Sequence, residues 1–235
     1  MPSATPSRPP QSPNQLQVIL FDVNETLLDM SKLKKAVIAG FGDKSAYRQW
    51  FGLLLQYSLV ATVTGQYHEF GVLANAALDM TAAKLETKPL KAGKKEEILA
   101  LMSQAPAHPD VKEGLKMLLE AGYQLVAFTN STKRVLDQQL RQAGIIHYFD
   151  QGLSVDSLRR YKPHGSTYLD AARQVGVAPS QAALVTAHGW DIAGAQAAGL
   201  ATGFIARAGQ ELYPLAAPPV YQGKTLVEVA KQMIG

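Results

Sequence analysis

Gln17-Val18-Ile19-Leu20-Phe21-Asp22-Val23-Asn24-Glu25-Thr26-Leu27-Leu28-Asp29 is the stretch that decides the fold. An apolar run of strand length ends in an acid, a short polar turn follows, and apolar residues resume, which predicts a buried strand carrying a carboxylate at its carboxyl end. An acid there is costly to bury without donors or a cation around it. Asp22 is therefore a candidate functional acid, with a structural Asp capping the next turn as the alternative.

Downstream, residues from about Ser31 to Ala105 are rich in Ala, Leu and Lys and show no strand alternation. Trp50, Leu53, Leu54, Tyr57 and Ala61 recur at spacings of three and four, as in an amphipathic helix. Pro106, His108 and Pro109 end this stretch. The chain then alternates. Asp110 begins a helix that ends at Gly122, Tyr123 to Phe128 is a strand, and Ser131 or Thr132 starts a helix that stops at Gly144. A strand lies near 152–155, a helix over 166–175, a strand over 182–186, a small-residue helix over 191–198, a strand over 201–206 and a closing helix over 225–234. This order predicts an α/β fold: a doubly wound parallel sheet, residues 15–30 and 106–235, interrupted by an all-helical cap over 31–105.

Residues 1–14 hold five prolines with Ser, Thr, Gln and Asn, and read as a disordered tail. The 235 residues are 47% hydrophobic, enough for one well-buried core and a smaller appended unit. The absence of cysteine excludes disulfides, thiolate metal sites and a thiol nucleophile, and removes any need for an oxidising compartment; the expected address is cytoplasmic. No apolar run reaches the length of a membrane span. The net charge of +4 is scattered, and the densest patch, Lys88, Lys91, Lys94 and Lys95, runs into Glu96 and Glu97, so a nucleic-acid partner is not expected.

In open parallel sheets ligands bind outside the carboxyl ends of the strands. Asp22, Thr129 with Asn130, and His188 with Asp191 all fall at such ends, so strand direction alone sends them towards one crevice. Four regions in this order resemble the motifs of the haloacid dehalogenase superfamily: Asp22-Val23-Asn24-Glu25-Thr26, Phe128-Thr129-Asn130, Tyr161-Lys162-Pro163, and Val185 to Ala195. The resemblance makes Asp22 a covalent nucleophile, with the Thr129 hydroxyl holding it or the substrate and Lys162 paired with it. Phosphatases of that superfamily carry a second Asp where this chain has Asn24, a group that neither gives nor takes a proton near neutral pH. Its magnesium-dependent members place two acids in the fourth region; here only Asp191 is acidic and Ala187 stands in the other place. A metal-free reaction without cofactor is implied.

Trp190-Asp191 with the Gly-Ala that follows, Tyr168 six residues after Lys162, and Gly-Gln-Tyr-His-Glu-Phe at 65–70 resemble the 2-haloacid dehalogenases in particular. That family implies attack by the aspartate on the carbon alpha to a carboxylate, loss of halide, and hydrolysis of the ester to the inverted hydroxy acid, S substrates being preferred. It also implies a homodimer through the cap. Halide leaves without a proton, so no acid is needed at Asn24. Thr26, Thr129, Tyr168 and the main-chain amides near Val23 and Asn24 are candidates for the wall that holds the substrate carboxylate or for the groups behind it. The family commonly has an Arg after the cap tryptophan, reaching the halide. Here that residue is Phe51, and Arg48, three residues earlier, is a candidate substitute; Asn130, Trp190 and Phe51 complete the expected halide cradle. His188 replaces the family's usual Asn. A His near its unperturbed pKa of about 6.5 suits a base for the hydrolytic water, with Glu25 orienting it. A phosphatase or mutase of the same fold and a non-catalytic binder of small carboxylates are the alternatives.

Overall fold

β1 (Val18–Phe21) is the predicted first strand, all four residues buried, in a computed structural model that describes residues 16–235. The tail expected over 1–14 lies outside the described residues. β1 is central. It pairs in parallel with β2 (Gln124–Thr129) on one side and β4 (Ala182–Thr186) on the other, Phe21 being in register with both Ala127 and Val185. β3 (Gln151–Ser154) and β5 (Ala201–Ile205) extend the sheet outward, giving the order β3-β2-β1-β4-β5-β6. The strand order reverses between β1 and β4, which is where such sheets open a crevice at their carboxyl edge.

The sixth strand, β6 (Tyr221–Gly223), corrects the expectation of five. Its three residues sit on the outer edge of β5, none of them fully buried, and carry no apolar run that could have announced it. The segment 31–105 after β1 holds four α-helices, α1 (Ser31–Phe41), α2 (Ala46–Thr64), α3 (Phe70–Lys84) and α4 (Ala92–Ala100). The uninterrupted helical reading of 31–105 is thus corrected to four pieces. α1 and α2 each stop at a glycine in the left-handed region, Gly42 and Gly65, both at φ 69°. Trp50 binds the insertion together: its ring is fully buried and its Nε1 donates to the Ala74 carbonyl at 2.9 Å.

The remaining helices cover the sheet. α5 (Val111–Glu120) packs on α9 (Leu226–Ile234) and α7 (Gly165–Gln174) on α8 (Gly189–Ala197), while α6 (Lys133–Gln142) lies against β3. α5 buries Val111, Gly114, Leu115 and Leu118 along one stripe. A Cβ at Gly114 would come within 2.5 Å of Leu226 Cγ, so only glycine allows α5 and α9 this separation. Thr132 caps α6, accepting from the Val135 amide. Asp110 stands at the start of α5 as expected, but its side chain does not cap that helix. Its carboxylate instead takes Arg207 at 2.8 Å and the amide of Leu226 at 2.6 Å, fastening α9 to the turn before α5. No helix among the described residues is long and apolar enough to cross a membrane.

Candidate active site

Asp22 leaves β1 at the point where the strand order reverses, and only 5% of it is exposed. Its Oδ1 accepts from Lys162 Nζ at 2.8 Å, and its Oδ2 accepts from Thr26 Oγ1 at 2.7 Å and lies 3.2 Å from His188 Nδ1. Burial alone would raise this acid, but the Lys162 charge and the bond from His188 outweigh it, holding the carboxyl far below the usual carboxylate range. Asp22 is therefore ionised throughout the neutral range. The Thr26 hydroxyl also accepts from the Ala187 amide at 2.9 Å, tying the turn after β1 to the loop after β4.

Lys162 is buried, and its three N–H bonds each have an acceptor: Asp22, Asp191 Oδ2 at 2.8 Å and the Phe128 carbonyl at 3.4 Å. Its amide is fixed by the Asn130 Oδ1 at 3.0 Å. Despite burial, the two carboxylates keep the ammonium charged, raising its pKa. Asp191 also accepts from the Tyr168 hydroxyl. Burial pushes Asp191 upward; Lys162 opposes this, and Asp22 adds to it. Gly194, one turn into α8, lets this group come together, since a Cβ there would meet Pro163 Cβ at 2.5 Å and the Tyr168 hydroxyl at 2.7 Å.

Glu25 adopts φ 62°, a left-handed conformation that costs an ordinary side chain of order 1 kcal/mol or more. The turn so formed places its carboxylate behind His188, Oε2 lying 3.0 Å from Nε2. Oε1 accepts from Tyr47 of α2 at 2.8 Å, and Oε2 also accepts from Gln210 at 2.9 Å. The faces of the imidazole are covered by Phe51, 6.1 Å away, and Trp190, 5.1 Å away. Tyr47 stacks on Phe51 in turn, the two rings nearly parallel.

This arrangement corrects the expectation of a His188 near 6.5. Burial would lower the ring, but bonds to Asp22 and Glu25, with their charges, raise it to about 10. In the resting site both ring nitrogens therefore carry protons and face carboxylates, so the ring has no lone pair with which to accept a proton from water. The raised value also sets a sign for stability. A His held at about 10 in the folded protein and near 6.5 unfolded stabilises fully below the lower value, and that contribution is lost as pH rises through the upper one. Urea unfolding at about pH 7 and about pH 10.5 should show wild type losing more stability than His188→Asn; equal losses would mean the ring is not held in its charged form.

Two of the proposed halide contacts also change. Arg48 is exposed and has no hydrogen-bond or ion-pair partner among the described residues, because the stripe of α2 turned towards the site is Tyr47, Trp50, Phe51 and Leu54. Phe51 stacks over the imidazole at 6.1 Å with the rings tilted by 30°. The Asn24 side chain turns away from Asp22, its Oδ1 accepting from Gln139 of α6 at 2.9 Å, while the Val23 carbonyl closes the turn by accepting from Leu27 and Leu28. Thr129 Oγ1 accepts from the Ser131 amide at 3.1 Å, keeping its own proton available. Asn130, with Oδ1 engaged by Lys162, has an Nδ2 without partner among the described residues.

Three residues escaped the sequence reading. Tyr47 and Gln210 hold Glu25, and Arg207 donates twice to the Thr26 carbonyl, at 3.2 and 3.0 Å, fixing the turn after Asp22. Tyr47 had a signal, since it shares the three-and-four spacing of Trp50 and Leu54. Arg207 and Gln210 lie in an irregular segment with none.

A family model for haloacid dehalogenase-like hydrolases matches residues 16–199. The chain is 30% identical over 224 residues to (S)-2-haloacid dehalogenase 1 of Pseudomonas sp. strain CBS-3, covering 93% of this chain and 97% of the relative. The chain belongs to the haloacid dehalogenase-like hydrolases. (S)-2-haloacid dehalogenase 4A of Burkholderia cepacia is 29% identical over 89% of this chain and 88% of its own length. A crystal structure of an L-2-haloacid dehalogenase superposes with a TM-score of 0.88 at 26% identity, covering 94% of this chain and all of that one. Within the haloacid dehalogenase-like hydrolases, this chain's resemblance is thus to the 2-haloacid dehalogenases over nearly its whole described length.

Proposed function

We propose that this hydrolase cleaves the carbon–halogen bond of short 2-haloalkanoic acids, giving 2-hydroxy acids with inversion, without metal or cofactor, through an ester on Asp22. The observation that carries the reading is the ionised Asp22 carboxylate, backed by Lys162 at the reversal point of the sheet, in a chain whose nearly full-length relatives are (S)-2-haloacid dehalogenases. An Asp22 oxygen attacks the alpha carbon from the side opposite the halogen, and halide departs with the bonding pair, needing no proton. Water then adds to the carboxyl carbon of the ester. Lys162 bridges Asp22 and Asp191 at 2.8 Å to each, supplying a fixed positive charge between the two acids. The Thr129 hydroxyl and Asn130 Nδ2 are the neutral donors proposed to orient the substrate.

Asp22, Lys162 and His188 are almost wholly covered, so helices α1–α4 act in this proposal as a cap that opens to admit substrate. The outward side of α2 exposes Leu59, Val60 and Val63, the last 86% exposed, and α3 exposes Val72. A second copy of the chain is the proposed cover, making a homodimer. Sedimentation of micromolar wild type should give a dimer and Val63→Glu a monomer; a wild-type monomer would end this part of the proposal. The proposed address is the cytoplasm, consistent with a chain free of cysteine.

The test of function is halide release from (S)-2-chloropropionate with EDTA present. Release is expected. No release from the chloro, bromo or fluoro acids, together with magnesium-dependent phosphate release from phosphate esters, would replace this reading with a phosphatase.

A further inference from the structure

The two oxygens of Asp22 are not equivalent. Oδ2 receives Thr26 Oγ1–H at 2.7 Å and His188 Nδ1–H at 3.2 Å, so both of its acceptor positions are filled. Oδ1 receives only Lys162 and keeps one lone pair free. The imidazole cannot swing away, being held between Phe51 and Trp190 with its far nitrogen on Glu25. Glu25 is itself held by Tyr47 and Gln210, two neutral donors that leave its charge intact.

We propose that His188 and Thr26 form an oxyanion hole around Asp22 Oδ2 for hydrolysis of the ester, with Oδ1 as the attacking oxygen and Glu25 as the positioning residue that holds the imidazole by its far nitrogen. The proposal rests on the ester reading given above and assigns a role that ester hydrolysis by water leaves open. Attack by Oδ1 leaves Oδ2 as the ester carbonyl oxygen. Water adds to the carboxyl carbon, and the carbonyl electron pair moves onto Oδ2, facing two donors already in place, one of them charged. When the carbonyl re-forms, the bond to Oδ1 breaks and Oδ1 departs as the oxygen of the hydroxy acid. One proton of the water ends on that hydroxyl. The other is released to solvent as Asp22 regains its ionised form, so the turnover yields hydroxy acid, halide and one proton.

A base and an oxyanion donor at His188 predict opposite pH dependences for this step, because the base must be neutral and the donor is strongest when charged. The charged groups that govern the ring are Asp22 and Glu25 in direct contact, Lys162 one contact further through Asp22, and Asp191 beyond Lys162, while the neutral Tyr47 hydroxyl holds Glu25. His108 lies beyond, 3.1 Å from the Glu25 carbonyl. Once Asp22 is esterified, one of the two anions holding the ring charged is gone, so the ring releases its proton below the resting value of about 10.

The experiment is rapid-quench single turnover of (S)-2-chloropropionate, following the ester on the Asp22 peptide by mass spectrometry from about pH 6 to about pH 10. The expected ester decay is fastest at the acid end and falls as pH rises. In Glu25→Gln, which lacks the second anion, that fall moves towards neutrality by about one pH unit or more. His188→Asn, a neutral donor, retains decay within about 100-fold of wild type and loses the alkaline fall. Ester decay that accelerates with pH, or an alkaline fall unchanged in Glu25→Gln, would overturn the oxyanion role while leaving the ester mechanism standing. Absence of any ester in a wild type that releases halide would overturn both.

Discussion

Asp22→Asn is expected to lower halide release by a factor of roughly 10⁴ or more while the protein stays folded. The amide oxygen can still accept from Lys162, so the strand end keeps its main bond, but an amide is a far weaker nucleophile than a carboxylate. The cost in stability comes from the other side. An Asn Nδ2 placed at the Oδ2 position would point its protons at Thr26 Oγ1 and His188 Nδ1, two groups that now donate to an acceptor there. His188 would respond by giving up its Nδ1 proton, which lowers its pKa. Halide assays beside thermal unfolding check both statements. Release within tenfold of wild type by a folded Asp22→Asn would mean that Asp22 is not the nucleophile.

Lys162→Met should have the second largest effect, because it removes the shared cation from two buried carboxylates and leaves them facing one another. Taking one partner from a buried ion pair costs about 3–5 kcal/mol, and here two acids lose the same partner. The ammonium and its Coulomb attraction are what hold Asp22 low against burial. Without them at least one carboxyl takes up a proton near neutrality, and a protonated Asp22 does not attack carbon. Activity should fall on the order of 10³-fold. The sign of the pH effect follows: wild-type Asp22, depressed below its unfolded value, contributes stability above about pH 4 that is lost only in strong acid. The variant lacks that contribution, so its deficit in urea unfolding should be largest at neutral pH and shrink towards about pH 5 as its acids protonate. A deficit that stays constant across this range would point to lost packing rather than to the charge.

Much of the frame was legible because it depends on local pattern. Apolar runs ending in Asp22, Thr129 and Thr186 marked three adjacent strands, and their common direction brought Asp22, Asn130 and Asp191 to one edge of the sheet. The six-residue separation of Lys162 and Tyr168 likewise resolved into two groups bonded to Asp191. Other features depend on contacts between distant segments. Nothing in Tyr221-Gln222-Gly223 shows that the edge of β5 is free to pair with it. The spacing of Arg48 from Phe51 suited a shared face, but the helix turns Tyr47 and Phe51 inward and leaves Arg48 in solvent. His188 and Glu25 could be paired on paper as neighbours in the strand-end loops. The charge on the ring could not, since it comes from two carboxylates, one on each ring nitrogen, that lie 163 and 166 residues away along the chain.

The most direct test of the central claim, an ester on Asp22 cleaved at its carboxyl carbon, is a single turnover with enzyme in excess over (S)-2-chloropropionate in ¹⁸O-labelled water. The mechanism predicts that the first molecule of lactate carries unlabelled oxygen taken from the Asp22 side chain, while the label appears in the Asp22 peptide. Labelled lactate from the first turnover, with no label in that peptide, would show that water attacks the substrate itself and that Asp22 never forms the ester.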